Sequence, residues 1–139
     1  MGPTNQVDAF FQDYSESGLR AQVHWCKHNL ALSDHYFSNL LRINHRRFES
    51  WQDGRVSLPD EQQEVLRAFW RLHLHLRTLY DRDVEAVRRM YEHVPSGDAG
   101  SVAPPWSGTS IKAYIEANGG SAIQTVGEWL ESLRVPRAL

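Results

Sequence analysis

Cysteine is almost missing. Cys26 is the one thiol in 139 residues, so no internal disulfide can form, which fits a reducing cytosol. An excess of positive charge is missing too. The formal net charge is −2, so no whole-molecule basic field points to nucleic acid. No run approaches the roughly 18 apolar residues that span a bilayer. The opening MGPTNQVDAFFQDYS lacks both a basic start and a continuous apolar stretch, and is expected not to be a signal peptide. Strand-type alternation is not found, nor an internal repeat. These absences lead to the expectation of a soluble, cytoplasmic, all-α protein.

Apolar bulk, by contrast, is ample. Hydrophobic residues make up 41% of the chain, with five Trp, five Tyr and five Phe, which is enough for a real core and excludes global disorder. The spacing predicts helices over 7–14 and 16–29. Ser33 then caps DHYFSNLL, Asn44 caps HRRFESWQD, and Gly54 supplies a helix stop. Pro59 suits the first turn of a long helix reaching Leu79 or Tyr80. On that helix Val65, Phe69, Leu72, Leu76 and Leu79 form one stripe, and Leu66, Trp70 and Leu74 a second beside it. So wide an apolar arc must bury two faces. Either the helix is packed on both sides within the chain, or the Leu66–Trp70–Leu74 face is a homodimer contact.

Further along, DRDVEAVRRMYEHV predicts a helix with Val84, Val87, Met90 or Tyr91, and Val94 inward, ended by Pro95. PSGDAGSVAPPWSG reads as a Gly/Pro/Ser-rich loop carrying Trp106. TSIKAYIEANGG buries Ile111, Tyr114 and Ile115, and SAIQTVGEWLESLR buries Ile123, Val126, Leu130 and Leu133.

Charge is unevenly spread. Four Arg face two acids between Arg42 and Arg55, whereas residues 1–41 hold four acids and two bases. Within this stretch, SDHYFSNLLRINHRRFESWQDG fits a helix-turn-helix, whose second helix lies in the DNA major groove. Phe37 and Leu41 face inward on the first helix, Ile43 fills the turn, and Phe48 and Trp51 face inward on the second. His45, Arg46, Arg47 and Ser50 are then left outside to meet bases and phosphates, flanked by Arg42, Asn44 and Arg55. The competing reading is a helical hairpin with a solvated basic face. With so few cations, DNA binding would require a dimer.

Other groupings are weaker. His24, Cys26 and His28 sit two apart on a helix, so Cys26 points away from both histidines, and the spacing is not that of a zinc site. His73 and His75 diverge in the same way and read as solvated or capped. Glu61, Glu64 and the acids of 81–85 sit where the helix macrodipole favours them. Gly119-Gly120 has no phosphate-loop context. With no nucleophile–base signature, the chain does not read as an enzyme, and no metal or cofactor is expected.

From Leu40 to Arg134 the layout resembles the Xre/MbcA/ParS family of antitoxins. The matching pieces are NHRRFESWQDGRVSLP, LRTLYDRDVEAVRRMYEHVP and PPWSGTSIKAYIEANGGSAIQTVGEWLESL. Departures are Ser38 where Ala is usual, Arg42 where the turn has Gly, Tyr91 where Trp is common, Ser110 where Pro is usual, and a longer loop before Trp106. The resemblance implies an Xre-like region over residues 1–80 and a small helical toxin-binding domain over residues 81–139. It implies a homodimer that binds a RES-type toxin, an NAD-consuming or ADP-ribosylating enzyme, and that represses its own promoter. On this reading Trp106, Lys112, Trp129, Arg134, Arg137 and Leu139 meet the toxin, Trp106 being alternatively a ring folded over the core edge. A transcriptional regulator without a toxin, and a helical interaction module, are the alternatives.

Overall fold

A side-chain oxygen fixes the start of most helices by accepting one of the first backbone N–H groups, which have no partner inside the helix. Ser15 accepts from Gly18, Ser33 from Tyr36, Asn44 from Arg47, Asp83 from Ala86 and Ser110 from Ala113. The computed structural model describes residues 12–95 and 104–133. These form seven helices and no strand: α1 Glu16–Leu30, α2 Asp34–Leu41, α3 His45–Gln52, α4 Asp60–Leu79, α5 Val84–Glu92, α6 Ile111–Asn118 and α7 Gly120–Leu133. The fold is all-α. Among the described residues no helix is long and apolar enough to cross a membrane.

Two local expectations are corrected. Residues 12–14 are not helical; Asp13 Oδ1 accepts from both the N–H and the hydroxyl of Ser15, a local bonding pattern that competes with helix. The remainder of the segment expected over 7–14 lies outside the described residues. Val94, expected inward, is 54% exposed, because α5 already ends at Glu92 and a residue before proline is pushed out of the helical region. Gly18 has a role that the periodicity did not show. A Cβ there would collide with the Asp13 backbone.

The core is built around α4. Its two apolar stripes are used within the chain over most of their length; Leu79, at the end of the first, is exposed. Leu66 and Trp70 adjoin Leu19, Val23 and Cys26 of α1, while Phe69 meets Phe37 at 5.6 Å and Tyr91 at 6.1 Å between ring centroids. Leu66 and Trp70 are therefore buried and Leu74 half-buried. This corrects the dimer assignment for Leu66 and Trp70, whose side chains pack against α1. Val87, Tyr91, Ile111, Ile115, Ile123 and Val126 join the same buried cluster as Phe37, Phe48 and Phe69, so helices from both sides of residue 80 enclose one core.

Candidate nucleic-acid interface

The pair α2–α3 is built from the inside outward. Phe37 of α2 stacks on Phe48 of α3 at 5.9 Å with the rings 7° from parallel. Phe48 and Trp51 are fully buried. The connection is Arg42, Ile43 and Asn44. Arg42 adopts left-handed backbone angles, φ 62° and ψ 39°, and its N–H donates to Asn39 O. The Ile43 N–H returns to Ser38 O at 3.1 Å, which closes the C-terminus of α2. A non-glycine residue in this region costs about 1–2 kcal/mol.

Arg42 offsets that strain with its side chain. Its guanidinium donates to Asn39 O (3.1 Å), Glu116 O (3.4 Å) and Ala117 O (2.6 Å). The last two are carbonyls at the C-terminal end of α6, the negative end of that helix. The expected phosphate contact is thus an internal staple between the turn and α6. Ser38, the other departure, is buried and satisfied, its hydroxyl donating to His35 O at 3.2 Å.

The far end of α3 is held by α1. Glu16 Oε2 accepts from Trp51 Nε1 at 2.8 Å and from Leu58 N at 2.9 Å. Arg20 donates to Trp51 O at 2.6 Å and to Val56 O at 3.0 Å, and its guanidinium lies 5.3 Å from the Trp51 ring centroid. Lys27 bonds Gln52 and pairs with Asp34, both at 2.6 Å. These α1 residues were not singled out from the sequence, although the i, i+4 spacing of Glu16 and Arg20 was there to be read. Burial acts to raise the Glu16 carboxyl. Hydrogen bonds from Leu58, Trp51 and Ser57, with the charge of Arg20, outweigh it and leave the group below its ordinary range. A carboxylate with a lowered native pKa contributes stability that is complete above the unfolded value and is lost as pH falls through the native one. Glu16→Gln is accordingly expected to lower the urea midpoint at pH 7 and to shrink the further loss seen below about pH 4.5.

What remains outside on α3 is the basic run. Arg46, Arg47 and Arg55 are exposed, and Ser50 is half-buried. Arg46 and Arg55 make no side-chain hydrogen bond or ion pair among the described residues, and Arg47 makes one long bond, 3.4 Å, to Ser57 O. Asn44 spends its side-chain oxygen on the helix cap. His45 is engaged: Nε2 lies 3.2 Å from Glu49 Oε2, and the ring stacks on His35 at 4.0 Å. Asp34, His45 and Glu49 bring one ligand atom each within 4.8 Å. The Lys27 ammonium on Asp34 already supplies positive charge at that point. The surface therefore offers the unpaired guanidinium of Arg46, the loosely held one of Arg47 and the Ser50 hydroxyl on one short helix, with the exposed Arg55 just beyond its end.

No family model, curated protein or solved structure matches this chain.

The residues expected to meet a toxin are scattered. Trp106 is only 1% exposed and meets Trp129 edge-on at 5.1 Å. It is a core ring rather than an anchor, because the Pro104-to-Thr109 turns fold it over the end of the bundle. Trp129 is half-buried beside it, and Lys112 is half-buried in the first turn of α6. Arg134, Arg137 and Leu139 lie outside the described residues. His24 and His28 are exposed while Cys26 is buried, so the three do not converge. His73 departs from the solvated or capped reading. It is fully buried between Trp25, at 4.9 Å, and Trp70, at 5.0 Å, and neither ring nitrogen has a hydrogen-bond partner among the described residues. Burial first, and Arg77 second, push its pKa down to about 3.

Proposed function

We propose that the chain binds DNA through α3 and acts as an antitoxin-type repressor. The observation that carries this reading is the division of α3 into two faces, with Phe48 and Trp51 wholly inside and Arg46, Arg47 and Ser50 outside. An eight-residue helix, about 12 Å long, suits a major groove of about that width. The clamp from Glu16 and Arg20 holds it rigidly, which favours base contacts over a mobile basic arm. Two copies would be needed to gather enough phosphate contacts, and their contact surface lies away from Leu66 and Trp70. The toxin half of the reading rests on the resemblance of residues 84–139 to the family's toxin-binding segment, where Lys112 and Trp129 are half-buried.

A helical interaction module is the second reading. It is favoured by the loss of Arg42 to the α6 carbonyls and by the pairing of His45 with Glu49. A mobility-shift assay on the DNA upstream of the coding region separates the two. Binding is expected to weaken steeply with salt. Arg46→Ala combined with Arg47→Ala should reduce affinity by at least about 30-fold, since each good base contact is worth about 1–3 kcal/mol. Unchanged circular dichroism would exclude unfolding as the cause. Equal binding by parent and double variant would remove α3 from the groove. For the toxin half, co-purification of a RES-type enzyme encoded next to this gene is the expected result.

A further inference from the structure

A second surface, apart from α3 and independent of the DNA reading, lies where α4 and α7 run side by side. The two helices are parallel: Val65 Cγ2 is 3.4 Å from where a Cβ on Gly120 would lie, and His75 Nδ1 is 3.9 Å from Glu131 Oε1. The groove they leave has a volume of about 720 Å³. Its floor is apolar, made by Val65, Ala68 and Leu72 of α4 with Ile123 and Gly127 of α7. The rim is acidic, with Glu61 and Glu64 on one side and Glu128 and Glu131 on the other, against the single guanidinium of Arg71 and the ring of His75. Arg71 is already engaged, 3.7 Å from Glu64 and over the Tyr14 ring. Glu61 and Glu128 have no cationic partner among the described residues.

Gly127 points to an occupant. Glycine weakens a helix interior, and nothing among the described residues requires it here, since a Cβ at this position would meet none of their atoms within 4 Å. Its absence keeps the middle of the groove open to close approach by another backbone.

We propose that this groove docks an amphipathic helix of a partner protein, one with an apolar stripe and Lys or Arg along both flanks. An apolar floor between two charged walls matches the helix-in-groove mode of recognition. From Glu61 to His75 the groove spans 15 residues of α4, about 21 Å from first to last, which accommodates a helix of about four turns. The charge selects the partner's sign. It also disfavours a second copy of this chain, because a two-fold contact through this face would set the four glutamates against their equivalents.

The test uses the full chain and a fluorescein-labelled helical peptide of about 16 residues, with Leu at i, i+4, i+7 and i+11 and Arg on both flanks. A second peptide carries Glu in place of Arg. Anisotropy titration should show saturable binding of the Arg peptide, weakened by salt, and at least about tenfold weaker binding of the Glu peptide. Glu61→Lys with Glu128→Lys, both at exposed positions, should reverse the preference, and Gly127→Phe should abolish binding while leaving circular dichroism unchanged. Failure of the Arg peptide to bind, equal binding of both peptides, or binding that survives Gly127→Phe would overturn the proposal. Two further results would overturn it by naming another occupant. One is a dimer in sedimentation that Gly127→Phe dissolves. The other is peptide binding that appears only after Arg134→Glu with Arg137→Glu, which would place the chain's own end in the groove.

Discussion

Replacing Trp51 by Ala is expected to remove about 3–5 kcal/mol of stability, the usual cost of deleting a buried Trp. That is a large part of the 5–15 kcal/mol by which a domain of this size is stable. Three losses coincide. The ring leaves a cavity beside Phe48, its centroid 5.8 Å away. Glu16 loses the indole N–H donor. The Arg20 guanidinium loses the ring it covers. Urea unfolding measures the effect as a shift in midpoint at unchanged slope. Trp51→Phe separates the contributions, keeping most of the apolar volume and losing the bond to Glu16. It is expected to cost about 1.5–3 kcal/mol, the range for a hydrogen bond to a charged group. If Trp51→Ala left the midpoint in place, the buried aromatic pair would not be what anchors α3.

His73 is expected to make the protein acid-labile well above the carboxylate range. In the unfolded chain a histidine titrates near 6.5, whereas the native ring is held down to about 3. Between these values the unfolded state binds a proton that the native state does not. Stability is therefore complete above pH 6.5 and declines as pH falls towards 3. With about 1.4 kcal/mol for each pH unit of difference, the loss is on the order of 5 kcal/mol across the window. His73→Phe should flatten the pH dependence between 6.5 and 5. It should also hold or raise stability at pH 7, because it removes two buried nitrogens that lack partners among the described residues. The loss below about pH 4.5 should persist, since Glu16 contributes there. An unchanged slope between pH 6.5 and 5 in His73→Phe would show that the buried imidazole is not its source.

The acid window illustrates how far sequence reasoning reaches. His73 and His75 look alike in RLHLHLR, two apart on a helix. Only the wrapping of α1 and α5 around α4 makes one of them a buried neutral ring and leaves the other half-buried beside Glu131. The same holds for Trp106. Its Gly- and Pro-rich neighbourhood suggested a loop, and a Trp on a loop is an anchor or a core ring according to what packs over it. The two stripes of α4 were legible as two buried faces, but periodicity cannot say whether the second face meets the same chain or another copy.

Local chemistry was determined by the sequence itself. Ser33 and Asn44 cap α2 and α3, Pro59 precedes α4, and the spacing of Phe37, Phe48 and Trp51 puts their rings on one side. These follow from hydrogen bonds and helical phase over a few residues. Only the tertiary structure decided which arginines are free. Arg42 and Arg20 find backbone carbonyls on helices 74 and 31 residues away in sequence, while Arg46 and Arg55 find none among the described residues. The groove between α4 and α7 is equally a product of assembly. Glu61 and Glu64 lie on α4 while Gly127, Glu128 and Glu131 lie on α7, and only the packing of the two helices brings them together, since an exposed face is whatever the rest of the chain does not cover.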